Sequence, residues 1–176
     1  MSTLFDAAPG FDTPIAVLKH CHDRIRKQLA TLDKLVNYLP DRGVDESVQQ
    51  AAKAVLKYFI KAAPLHHQDE EVDLLPALRA TVSGADAELL NELSKTIMQH
   101  HAQMDQQWKV LQVQLEALED GSGYDLSPSD VDDFTTLYQA HMQIEETQIA
   151  PMALRVLSEA QMKQLGASMQ ARRGIT

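Results

Sequence analysis

The sequence predicts an all-α protein: an up-down-up-down four-helix bundle followed by a short extra C-terminal helix. Three observations carry this. Apolar residues recur at helical spacing almost throughout, and no stretch of four or more residues alternates in strand fashion. All seven histidines fall in four places, one group per long helical segment: His20 and His22, His66 and His67, His100 and His101, and His141. Finally, one motif occurs twice. His66, three residues, Glu70-Glu71, four residues and Pro76 returns as His141, three residues, Glu145-Glu146, four residues and Pro151.

The first helix starts with Asp12 or Thr13 as N-cap and Pro14 at the first helical position. Its stripe is Leu18, His22, Ile25, Leu29, Leu32, Val36 and Leu39; His22 belongs to that series and His20 does not. Pro40 and Gly43 are expected to end it. The second helix runs from about Asp45 through Val48, Ala52, Val55, Phe59 and Ala62 into the first histidine motif. Pro64 removes the amide that would bond the carbonyl of Ile60, which predicts a kink or restart there.

Residues 81–86 (TVSGAD) read as a turn. The third helix follows, with Leu90, Ile97, His101, Met104, Trp108, Leu111, Leu115 and Leu118 on one face. After the Gly121-Ser122-Gly123 loop, Ser127-Pro128-Ser129-Asp130 signals another helix start. That fourth helix turns Val131, Phe134, Tyr138, His141 and Glu145 inward. Ser158 with Gln161 resembles a capping box, predicting a short last helix packed outside the bundle. The division expected is a tail over 1–11, the bundle over 12–157, and the C-terminal helix and tail over 158–176.

A chain of 176 residues, 44% hydrophobic, suits a single domain with a substantial core. A net charge of −9 argues against nucleic acid as a partner, and Arg172-Arg173 is too short a basic tail to reverse that. The single cysteine, Cys21, excludes an intrachain disulfide and a thiolate cluster. No apolar run approaches the roughly 20 residues of a membrane span, and residues 1–12 lack the basic start and apolar stretch of a signal peptide. The expectation is a soluble cytoplasmic protein.

Residues four apart share a helix face, so each motif aims an imidazole and a carboxylate at one point. Adding the histidines of the other stripes yields one inward set: His22, His66, Glu70, His101, His141 and Glu145. Buried carboxylates and imidazoles are costly unless paired or metal-bound. Helices pack roughly 8–10 Å apart, so four can meet around one centre. Two i,i+4 surface pairs would be worth only a few tenths of a kcal/mol, and the repetition with its matching proline argues against so plain a role.

The donor types suit iron, manganese or zinc, and the lack of thiolates disfavours a finger-type structural zinc. His67 and Glu71 lie on a second stripe with Leu56, Ile60, Ala63, Leu74 and Leu78, as metal ligands or as partners that orient ligands. Glu146 reads as a solvated or ligand-orienting acid, His20 and His100 as exposed or helix-contact residues, and Cys21 as packing. Met98, Met104, Met142 and Trp108 read as core, with Met104 about one turn from His101 and placed to border the site; Tyr58 and Tyr138 read first as core packing, with lining of the pocket as the alternative.

These residues resemble the hemerythrin-like, or HHE cation-binding, domains: four-helix bundles that hold a non-haem di-iron centre. The resemblance covers about residues 14–157 and rests on His22, the motif from His66 to Pro76, His101, and the motif from His141 to Pro151. It implies two iron ions bridged by Glu70 and Glu145, with the histidines completing their shells. Invertebrate hemerythrins carry an extra histidine one turn along the third helix, where this chain has Asp105. A fifth nitrogen therefore comes from His67 or His20, or the site has four histidines and an extra open position.

The function implied is binding or sensing of a small diatomic such as oxygen or nitric oxide, or the holding of iron. The alternative is a di-iron enzyme acting on peroxide or in iron–sulfur cluster repair. Ferritin-type oxidases use Glu-x-x-His pairs, and no glutamate stands three residues before a histidine here.

Overall fold

The computed structural model describes residues 8–175, and every regular element among them is helical. Helix α1 spans Pro14–Arg42, α2 spans 46–81, α3 spans Gly84–Asp120, α4 spans 128–156 and α5 spans Glu159–Arg172. Among the described residues no helix is long and apolar enough to cross a membrane. The tail expected over residues 1–11 lies mostly outside the described residues.

The helix ends follow local chemistry. Asp45 accepts from the amide of Val48 at 3.0 Å to start α2, and Ser127 accepts from that of Asp130 to start α4. Ser158 and Gln161 complete the reciprocal capping box of α5. Pro40 does not end α1: it lies inside the last turn, and the helix stops at Gly43, whose positive φ suits only glycine well. The turn expected over 81–86 shrinks to Val82 and Ser83, since α3 already begins at Gly84.

Helix α1 packs on α2 and α4, and α3 packs on α2 and α4, with a smaller contact between the C-terminal parts of α2 and α4. Two apolar clusters form between them. One contains Ile25 to Leu39 of α1, Val48 to Ala63 of α2, Met104 to Leu118 of α3 and Val131 to Met142 of α4. The other contains Ile15 to Leu18 of α1, Leu74 to Leu78 of α2, Leu90 to Ile97 of α3, Ile149 to Ala153 of α4 and Leu157 just after it. In α1, α2 and α3 the inward histidine falls in the interval between the two; in α4 His141 directly precedes Met142, the last member of the first cluster, and Glu145 falls in the interval.

Helix α5 packs on the outside of α1 and α2, as expected, yet buries Leu165 and Met169 in the second cluster. Gly166 permits its close approach, because a Cβ there would overlap the backbone carbonyl of Phe11.

Two helices depart from regular α geometry. In α2 the backbone widens to π-helix over Tyr58–Ala62 and again over Asp69–Leu74; in α4 it does so over Glu145–Ile149. A proline follows each π segment by two residues: Pro64, Pro76 and Pro151. Each proline lacks the amide for the carbonyl four residues back and crowds it. The wider turn relieves this, and the residue before each proline donates instead to the carbonyl five back: Ala63 to Tyr58, Leu75 to Glu70, Ala150 to Glu145.

The kink expected at Pro64 is thus absorbed without a break. The added residue also moves Ile60 off the stripe of Leu56 and Ala63, leaving it 47% exposed. Leu35 is buried where periodicity favoured Val36.

Candidate metal centre

His22, His66, Glu70, His101, His141 and Glu145 are all buried and converge between the two apolar clusters. Their atoms divide into two groups, each with donor atoms within 4.8 Å of one another: His22, His66, Glu70 and Glu145 on one side, and Glu70, His101, His141 and Glu145 on the other. Both carboxylates belong to both groups. Glu70 turns Oε1 to His66 Nε2 at 3.0 Å and Oε2 to His101 Nε2 at 3.2 Å. Glu145 turns Oε1 to His141 Nε2 at 3.3 Å and Oε2 to His22 Nε2 at 2.9 Å.

These contacts are close without being satisfied. Both oxygens of Glu70, Glu145 Oε1 and both ring nitrogens of His66 are buried and make no properly aligned hydrogen bond. Nε2 of His101 and Nε2 of His141 face each other at 3.2 Å. A buried polar atom left without a partner costs about 1–3 kcal/mol, and here several aim their lone pairs into the same small space. A cation removes that cost, and a shell of imidazole and carboxylate fits a divalent or trivalent transition ion.

His67 joins a third group, with His101 and His141, and stacks on the His101 ring at 3.9 Å between centroids. Glu71 belongs to none of the three groups; its Oε1 lies 2.5 Å from Nδ1 of His101. Glu146 does the same for His22, whose Nδ1 is 2.9 Å away, while Arg26 holds Glu146 by two contacts of 2.8 Å. The second glutamate of each motif thus orients a histidine from a different helix, presenting Nε2 to the centre. His100 is half-buried beside the His141 ring, and His20 joins none of the groups. Met98, read as core, is 43% exposed, because it lies one residue off the Ile97–His101 face.

Burial dominates the electrostatics. It pushes Glu145 up to about 7, with the charge of Glu70 adding to the effect. It also drives His67 down to about 3, helped by His101, and lowers His141 well below the ordinary imidazole value. His66 and His101 go the other way: burial opposes their charge, but Glu70 outweighs it and raises both. For Glu70 too burial is overcome, and His66 and His101 hold it ionised. Without a cation, the cluster keeps itself near neutral by holding protons among its ligands.

A further contact was not legible in the sequence. Asp69, wholly enclosed, binds both Arg172, the last residue of α5, and Arg173 just after it, and Arg172 also binds Asp73. These arginines read as a short basic tail, and a separation of more than 100 residues leaves no local signal. They anchor the π segment that carries Glu70 and Glu71.

Two cavities reach the centre at different residues. The larger, about 750 Å³, ends at His22, Glu70 and Glu145. The smaller, about 370 Å³, ends at His67, Glu71 and His101, with Trp108 and Tyr138 in its wall. Both tyrosines lie in the core, the role read first for them; Tyr138 also borders the smaller cavity, whereas Tyr58 donates to the carbonyl of Cys21.

A helical fold with paired His/Glu motifs on opposite helices is the signature of a cation-binding domain, and residues 13–153 match the hemerythrin HHE cation-binding domain. The chain belongs to that family, and its buried His/Glu cluster is one that can hold metal. It is similar to an uncharacterized protein of Haemophilus influenzae (strain ATCC 51907 / DSM 11121 / KW20 / Rd), 32% identical over 165 residues that cover 94% of this chain and 92% of the relative.

Proposed function

We propose that this protein is a non-haem di-iron protein that binds a small molecule at an open metal position. The observation that carries the reading is the presence of Glu70 and Glu145 in both donor groups. Each carboxylate offers one oxygen to each side, the arrangement needed to bridge two ions. His22 and His66 would hold one ion, and His101 and His141 the other. His67, whose Nε2 is buried without a partner, would be the fifth nitrogen and join His101 and His141 on the second ion.

The four long helices would take an up-down-up-down course around this centre. Their passage in turn between the same two apolar clusters supports that course. The domain division into bundle and C-terminal helix follows the same reading, with α5 as a clamp on the bundle.

When bound, a pair of irons supplies exchangeable positions and one-electron redox capacity. The chain's own residues decide where exchange is possible. The His101 side would have three nitrogens and both carboxylates; the His22 side would have two nitrogens and both carboxylates, and it is this side that meets the larger cavity. An open position there suits oxygen, nitric oxide or a small anion.

The test is elemental analysis with azide titration. Protein expressed in iron-replete medium should carry about two irons per chain, and azide should change its charge-transfer bands. One zinc and no iron, or no spectral change at millimolar azide, would overturn the reading.

A further inference from the structure

The larger cavity is out of scale for a diatomic. One water occupies about 30 Å³ of liquid volume, whereas this cavity holds about 750 Å³. That lies within the range of roughly 300–1,000 Å³ typical of pockets for small organic ligands. The smaller cavity already offers a second route to the centre for a small gas molecule.

The walls and ends of the larger cavity differ in chemistry. Leu18 of α1, Leu74 of α2, Ile149 of α4 and Met162 of α5 make the walls apolar. At the mouth Leu154 is 66% exposed and extends the apolar wall outward. The inner end is where His22, Glu70 and Glu145 meet. Glu70 and Glu145 together carry at most two negative charges, against at least four positive charges on two iron ions. Nearby Glu146 is paired with the Arg26 guanidinium, and Lys19 and Asp12, of opposite charge, both stand among the lining residues. The loaded cavity therefore has a cationic floor and hydrocarbon walls.

The geometry points to a medium-chain monocarboxylic acid as the ligand of this cavity, its carboxylate directed to the ion held by His22 and His66 and its chain laid along Leu18, Ile149 and Leu154. The inference rests on the di-iron reading and names the ligand class of the same open position. The cationic floor selects the anionic head, and the apolar walls select chain length.

Calorimetric titration of the iron-loaded protein with acetate, butyrate and octanoate tests it, together with competition against azide. Each methylene that leaves water should tighten binding by roughly threefold to fourfold. Octanoate has six more methylenes than acetate, so it should bind on the order of 10³-fold more tightly if all six leave water, at least about tenfold if only two do, and displace azide. Ala150→Trp and Ala16→Trp, each filling the cavity from a different helix, should abolish the gain with chain length while iron content and azide binding persist.

Equal affinities for acetate and octanoate alongside normal azide binding would overturn the inference and leave the di-iron centre standing. Octanoate binding that is unchanged by both fillers, or that survives removal of iron, would also overturn it. Failure of azide and carboxylates alike would remove the open metal position itself, and the inference with it.

Discussion

Arg173 Nη2 donates to Oδ2 of Asp69 across 2.6 Å, and Asp69 is wholly enclosed. Asp69 immediately precedes Glu70 in the π segment of α2, so the last helix of the chain holds the backbone that aims one of the two shared carboxylates. Arg172 adds a second guanidinium to Asp69 and reaches Asp73 one turn further on. Removing one partner of a buried ion pair leaves an uncompensated charge and costs about 3–5 kcal/mol.

Replacing both arginines with alanine should therefore destabilise the protein by about that amount in denaturant titration. Metal content should fall with it. Asp69→Asn together with the double alanine change should recover part of the loss, because no buried charge then remains unpaired. An unchanged denaturation midpoint for the double alanine variant would show that the clamp contributes nothing.

Glu71 and Glu146 play matching parts, on His101 and His22. Glu71→Gln and Glu146→Gln should each fold normally and weaken metal binding about 10–100-fold, the effect typical of losing a carboxylate that orients a ligating histidine. Competition with a chelator of known affinity measures it. Glu70→Gln or Glu145→Gln should do more and prevent the second ion from binding, since each would remove a bridge. Equal, small effects across all four variants would contradict the division of roles.

The histidines separate by the same logic. His67→Ala should keep one tightly bound ion and weaken the other, read as iron content falling from about two to about one under mild chelation. His20→Ala and His100→Ala should retain the full complement. Loss of iron from His100→Ala but not from His101→Ala would mean that α3 presents the wrong face here.

The pH dependence has a defined sign. In the metal-free protein His66 and His101 sit above the ordinary imidazole value of 6.5, and Glu145 is raised to about 7. Above pH 6.5 the folded chain therefore holds protons that the unfolded chain has released, and stability falls as pH rises through these folded values. Glu70 is shifted downward from a carboxylate value and contributes no slope in that window, whereas His67 and His141, lowered from 6.5, add an opposing slope that fades within about one pH unit above 6.5, as the unfolded chain gives up its last imidazole protons. Metal must displace the retained protons, so its affinity rises over the same range. The gap in Tm between loaded and metal-free protein should widen from pH 6.5 to 8.5 in differential scanning calorimetry. A constant gap would show that these ligands carry no protons in the metal-free fold.

Much of this protein is written in local spacing. Helix identity, caps at Ser127 and Ser158, and the inward set from His22 to Glu145 all follow from period and motif, because a histidine within an apolar stripe must share the stripe's burial. The sequence by itself also determined that His66 and Glu70, and His141 and Glu145, would point together. Only the tertiary structure decided the rest. The π turns ahead of Pro64, Pro76 and Pro151 shift the helical phase by a residue, which expelled Ile60 from its stripe and directed Glu71 to His101. The pairing of Glu146 with His22, and of Asp69 with Arg172 and Arg173, joins residues more than 100 positions apart. Such contacts carry no period. They exist because four helices and a fifth must enclose one set of charges, and each charge takes the partner that packing places within reach.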